Sequence, residues 1–227
     1  MSRVCVLVGE GKSEKSFLSS LLLYQLNFSE TQPKGCIVYQ SHIDQDLFWI
    51  FPVPSYGTSH KGGCRMLKQR ETYIKCHQIV RGCGWLFGEY PEIHYRILTD
   101  TDNCGEKICN DKVTSIKEAF DNARVNYSSF EINFAHIEIE SWFIAGLTES
   151  FPYLIKGSEK SYLLSCIPDK VSEPKKKLDD ILHESIRGDR QRIARDFGEY
   201  MDLAKAKNVS PTFNNLITKL SDDKLLV

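Results

Sequence analysis

Arg3-Val-Cys-Val-Leu-Val-Gly-Glu-Gly-Lys-Ser-Glu14 is the stretch on which the reading of this chain turns. Val4 to Val8 form a continuous apolar run, the pattern of a central strand covered on both faces. The run stops in the turn Gly9-Glu10-Gly11-Lys12-Ser13-Glu14, where glycines accept backbone conformations that a Cβ resists. Ser13 is placed to cap a following helix, whose Phe17, Leu18, Leu21 and Leu22 recur at helical spacing. One carboxylate, Glu10, is left at the carboxyl end of the strand, the edge at which open α/β sheets bind ligands. Gly11-Lys12-Ser13 matches the tail of a P-loop, but Val6 stands where that motif needs its first glycine, so the phosphate cradle is incomplete. Glu10 therefore reads as a metal ligand or acid/base group, against the plainer reading of a loop carboxylate.

The chain is long enough, at 227 residues, to bury a sizeable core. Hydrophobic residues make up 41% and charged residues 26%, an ordinary globular balance. A formal charge of −1 supplies no global basic field, so nucleic-acid affinity would have to come from local patches. No apolar run has the length of a membrane span and no signal-peptide pattern opens the chain, so a cytoplasmic protein without a membrane is expected. The eight cysteines are expected to be thiols rather than a disulfide framework. Cys76-His77 with Cys83, and Cys104 with Cys109, are the clusters to weigh as zinc sites; neither has paired C-x-x-C spacing.

Outward from the opening, residues 14–26 read as a helix, 27–35 as a loop and 36–40 as a strand. Residues 41–63 read as irregular because Pro52, Pro54, Gly57, Gly62 and Gly63 interrupt them. Residues 64–82 read as a helix bearing Arg65, Lys68, Arg70, Lys75 and Arg81. With Lys61 in the preceding glycine-rich loop, Arg65 and Lys68 are candidate nucleic-acid contacts, although a basic helix side is more commonly just solvated. Ile93 to Thr99 is a strand that runs into Asp100-Thr101-Asp102, and residues 111–124 are a helix. Paired carboxylates at a strand end suit a hard divalent cation such as Mg²⁺, while a turn or capping role is the structural alternative.

Residues 130–135 form a further strand, leading into Glu138-Ile-Glu140-Ser-Trp142. In extended form Glu138 and Glu140 share one face; a helix starting near Glu140 turns Trp142, Phe143 and Leu147 inward. Residues 149–174 read as a linker with short elements. The tail beyond is helical and basic, with Lys175 and Lys176 as further nucleic-acid candidates and Pro211 opening a last helix. Strands alternating with helices in this order point to the α/β class.

The order strand–Glu10–helix, then strand–Asp100-x-Asp102–helix, resembles the Toprim domain of topoisomerases, primases and OLD-family nucleases. Glu10-Gly-Lys-Ser-Glu14 is similar to that family's first-strand turn, and Asp100-Thr-Asp102 to its Asp-x-Asp element. Glu138-Ile-Glu140-Ser-Trp142 and the helix around Phe213 resemble a subgroup of small stand-alone bacterial Toprim-like proteins. The resemblance implies an α/β fold, a Toprim/Rossmann-like mostly parallel sheet with helices on both faces plus a C-terminal helical extension. It implies a catalytic domain over residues 1–148, with an insertion at about 41–92, and the helical extension over 149–227. It implies a metal-dependent nuclease acting on DNA or RNA, tRNA included. Asp100 and Asp102 would hold Mg²⁺ or Mn²⁺, with Glu10 as ligand or base, Lys12 as a charge-neutralising catalytic group and Glu138 and Glu140 as anchors of a second ion. It implies an effector of anti-phage defence working with an ABC-type ATPase partner; a homo-oligomer stays open. The rival classes are a Toprim-shaped binding module for an ATPase or nucleic acid, and a nucleotidyl-transfer enzyme using Gly11-Lys12-Ser13.

Overall fold

The computed structural model describes residues 1–33, 36–52, 63–101, 106–135, 137–155 and 157–222, with backbone alone at 63–64, 106–107, 158–159 and 219–222. Along the chain, β1 (Arg3–Gly9) is followed by α1 (Lys12–Tyr24), β2 (Phe28–Thr31), β3 (Cys36–Ser41) and β4 (Leu47–Pro52). Next come α2 (Gly63–Leu67), α3 (Arg70–Gly82), α4 (Gly84–Phe87), β5 (Glu92–Asp100), α5 (Glu106–Ala123) and β6 (Ser129–Ala135). The remainder is helical: α6 (Glu140–Ala145), α7 (Ser158–Ser165), a 3₁₀ turn (Pro168–Lys170), α8 (Pro174–Ile181) and α9 (Glu184–Arg187). It ends with α10 (Arg190–Tyr200), α11 (Leu203–Val209) and α12 (Pro211–Asp222).

The expected α/β class is what the structure has: a six-stranded, mostly parallel mixed sheet in the order β2-β3-β4-β1-β5-β6, with C-terminal helices. β1 pairs in parallel with β4 and with β5, in a register that sets Gly9 opposite Leu98. The carboxyl ends of β1 and β5 thus share one edge. β3 runs antiparallel to β4, and β2 antiparallel to β3.

The chain divides into two compact units. The first takes residues 1–11, 26–99 and 104–133. Val4, Cys5, Val6, Leu7 and Val8 are all buried, as the apolar run predicts for a central strand. Val4, Val6 and Val8 point to one core with Val38, Ile50, Tyr95 and Ile97, and Tyr73 and Val80 of α3 and Ile116 and Phe120 of α5 close it. The heptad-like spacing of Tyr73, Cys76 and Val80 is what turns one side of α3 to the sheet. Its arginines and lysine at positions 70, 75 and 81 stay in solvent.

The second unit takes residues 12–25, 100–103 and 134–227. Its core is aromatic. Phe197 of α10 stacks on Phe143 with centroids 4.9 Å apart and on Phe151 at 4.1 Å, and Phe17 of α1 meets Phe143 at 5.1 Å. α1 and α10 approach so closely at Gly198 that an added Cβ would lie 2.4 Å from the Phe17 carbonyl oxygen. Trp142, Phe143 and Leu147 are buried, as expected for a helix starting at Glu140. Trp142 Nε1–H donates to Thr212 Oγ1 at 2.9 Å. Pro211 does open α12, and Ser210 Oγ accepts the Phe213 N–H at 3.2 Å as its cap.

Several expectations are corrected. Residues 28–31, expected as loop, are strand β2; on a sheet edge the half-exposed Phe-Ser-Glu-Thr needs no apolar alternation. Leu47 to Pro52, expected as irregular, form a fully buried strand, since Pro52 stands at its last position where a missing N–H is tolerated. The helix expected over 64–82 is two helices, because Gln69 is extended (φ −113°, ψ 124°). There Thr72 Oγ1–H and Tyr73 O–H donate to the Met66 and Leu67 carbonyls, satisfying the end of α2. α1 begins at Lys12, so Ser13 lies within its first turn rather than capping it. α5 begins at Glu106, five residues earlier than expected.

Candidate functional site

Glu10 follows β1 directly, at the carboxyl edge of the sheet. Its carboxylate meets the ammonium of Lys112, with Nζ 2.7 Å from Oε1 and the two side chains only 6% and 13% exposed, lysine first. Charges held so far from water must be paired to persist. Lys112 arrives there because it lies four residues before Ile116 on α5, on the face that also carries Ala119 and Phe120 to the sheet. The sequence reading passed over Lys112. Its signal was a lysine in phase with the apolar face of an amphipathic helix, a place where a charge has to be answered.

Asp100 ends β5 and belongs to the second unit, as Lys12 does; Lys12 is exposed at the first position of α1. Asp102 lies outside the described residues, as does Lys61. Thr101 ties the aspartate segment to the Glu138 segment. Its N–H donates to the Ala135 carbonyl at 3.1 Å, and its Oγ1 accepts the Ile137 N–H at 2.6 Å. The two acidic motifs of residues 100 and 138 are therefore joined through one threonine.

From Ile137 to Ile139 the chain is not extended, which corrects the shared-face argument for Glu138 and Glu140. Ile137 takes the left-handed conformation (φ 62°), a costly one for a β-branched residue, and Ile139 is helical (φ −58°, ψ −24°). Glu138 Oε2 accepts the Lys175 N–H at 3.2 Å, near the start of α8. Glu140, the first residue of α6, is 8% exposed. Burial pushes its carboxyl above the ordinary value; a hydrogen bond from its own backbone opposes this, the neighbouring Glu138 adds to it, and Arg190 and Lys175 oppose it.

Lys175 and Lys176 are exposed, in an open cleft that they line with Ile137, Glu138, Glu173 and Asp179. Lys176 Nζ lies 3.6 Å from Glu173 Oε2, and Arg190 pairs with Asp179. The tail region that reads as basic in sequence is thus a field of alternating charge in space. Arg65 and Lys68 are exposed as well. Lys68 lines an open groove between α3 and α5 with Arg70, Glu71, Glu118 and Arg124, again of both signs.

Of the cysteine clusters, Cys104 lies outside the described residues. Cys76 is buried with its thiol pushed up to about 12 by burial, and His77 Nδ1 pairs with the Tyr95 hydroxyl at 3.3 Å. Among the described residues, no group of three or more His, Cys, Asp and Glu side chains is gathered in a way that could hold a metal ion. No described helix is long and apolar enough to cross a membrane. No protein-family model matches this chain, and no curated protein matches it either.

Proposed function

We propose that this chain is a metal-dependent phosphodiesterase of the Toprim kind, cutting DNA or RNA. The observation that carries the reading is the setting of Glu10: a mostly buried carboxylate immediately past β1, at the ligand-binding edge of a mostly parallel sheet, held by a buried lysine. Asp100, as the last residue of β5, adds a carboxylate at the end of another strand. Carboxylate oxygens from Glu10, Asp100 and Asp102 are the hard donors that Mg²⁺ or Mn²⁺ takes, so the residues fit such an ion in kind. A bound divalent ion supplies Lewis-acid polarisation of the phosphodiester and a more acidic water.

The chain's own groups do the rest. Lys112 positions Glu10, which accepts the proton of the attacking water. Lys12, exposed at the head of α1, meets phosphate charge. Arg65, Lys68, Lys175 and Lys176 hold the nucleic-acid backbone, and a second ion at Glu138 and Glu140 rests on the resemblance alone. A cytoplasmic role in anti-phage defence beside an ABC-type ATPase is part of the same proposal and rests on the resemblance alone.

A second reading is favoured by the same ion pair. Lys112 already neutralises Glu10, as a purely structural pair would, and a binding module for an ATPase or nucleic acid would keep it. Incubating the purified chain with plasmid DNA and total tRNA separates the two. Cleavage is expected with Mg²⁺ or Mn²⁺, lost with EDTA and lost in Glu10→Ala and Asp100→Ala. Metal-independent cleavage, or cleavage surviving in both variants, sinks the nuclease reading; binding without cleavage selects the module.

A further inference from the structure

Two cysteines distant in sequence face each other inside the first unit. Cys36 opens β3 and Cys83 follows the last turn of α3; they are 47 residues apart, and their Sγ atoms are 3.2 Å apart. Both are buried, at 4% and 3% exposure. A disulfide bond is ≈2.05 Å long, so the sulfurs need to approach by roughly 1.2 Å, a shift within the reach of small side-chain rotations. The two residues sit on separate elements of one core, which holds them in register without a bond. Cys76, in the same core, is paired with neither; Cys109 and Cys166 are half-buried thiols elsewhere.

We propose that Cys36 and Cys83 are a peroxide-oxidisable dithiol, a modification site that fastens the start of β3 to the end of α3. One sulfur, as thiolate, attacks a peroxide oxygen. The O–O bond breaks, one water leaves after protonation, and a sulfenic acid remains on that sulfur. The second sulfur attacks the sulfenic sulfur, the S–O bond breaks, and a second water carries away the oxygen. The pair of thiols has then lost two protons and two electrons, and hydrogen peroxide has become two waters. A small uncharged oxidant is the class that suits sulfurs with so little exposure. The bridge closes a loop between residues 36 and 83 and so shrinks the unfolded ensemble. This inference stands independently of the nuclease reading.

The test uses the intact wild-type chain. It is treated with hydrogen peroxide over a time course, quenched in acid, unfolded, alkylated with iodoacetamide and digested without reductant for mass spectrometry. A linked peptide pair containing Cys36 and Cys83, two hydrogen masses lighter than the separate thiol peptides, is expected. It should grow as both alkylated forms fall together, and dithiothreitol should reverse it. The oxidised chain should also melt several degrees higher than the reduced one, and Cys83→Ser should show no such rise. Full alkylation of both residues after Cys109 and Cys166 have been oxidised overturns the proposal, as does a bridge from either residue to another cysteine. The mapping on wild-type protein decides the matter even if the serine variant does not fold.

Discussion

The two units of this chain reach order by different means. The first is a sheet whose register is set by backbone ladders, and its mostly buried Glu10 is answered at 2.7 Å by a lysine inside the same unit. The second is a cluster of short helices ordered by stacked rings and by the close approach of α1 and α10 at Gly198. Among its buried acids Glu140 stands with a second acid, Glu138, beside it and feels Arg190 and Lys175 at longer range. The difference teaches that carboxylates which look alike in sequence are not alike in the fold. One belongs to a fixed ion pair, and the other is a burial that favours the neutral acid.

The largest effect is expected at the pair. Lys112→Met takes the ammonium away from the mostly buried Glu10 carboxylate and should cost about 3–5 kcal/mol, read from urea unfolding. Adding Glu10→Gln should return much of that loss; simple addition of the two single effects would show that the pair is not coupled. In the second unit, Gly198→Ala drives a Cβ against the backbone of α1 and should cost about 1–3 kcal/mol. Trp49 is buried in the first unit and Trp142 in the second, so fluorescence of single-tryptophan variants locates each loss. If both substitutions shift one common transition equally, the two units unfold together and the contrast between them is structural only.

Trp142→Phe removes the hydrogen bond to Thr212 Oγ1, which still has Asp169 as a partner, and leaves space in a fully buried site, so it should cost about 1–2 kcal/mol. The smallest and most diagnostic effect concerns Glu140. Its folded-state affinity for a proton is raised above the ordinary value of 4.5, so the folded chain holds that proton to higher pH than the unfolded one. Its contribution is therefore fully present below about pH 4.5 and is lost as pH rises through the folded value. Glu140→Gln should flatten this loss and stabilise the chain at neutral pH. A stability–pH curve unchanged by the substitution would place Glu140 in a compensated site like that of Glu10.

Much of the frame was legible from residue patterns. The run Val4–Val8, the helix-phase apolar residues of α1, the strand running into Asp100, the start of α6 near Glu140 and Pro211 at the head of α12 all rest on local signals, and local signals are what a sequence prints. β2 and β4 were not legible. An edge strand lacks alternation, and prolines around Leu47 to Pro52 look like breakers until the strand is seen to stop at Pro52. Glu10, Asp100, Glu138 and Glu140 could be picked out as strand-end and turn acids, but nothing in their spacing tells which cation each one meets.

The sequence by itself determined the α/β class, the strand that becomes the centre of the sheet and the acids that follow strands, because burial periodicity and turn chemistry act over a few residues. Only the tertiary structure decided that Lys112 answers Glu10, that Thr101 ties residues 100 and 137 together, and that Cys36 faces Cys83. These are contacts between residues dozens of positions apart, fixed by the packing of helices on a sheet and by strand register rather than by any local preference of the chain.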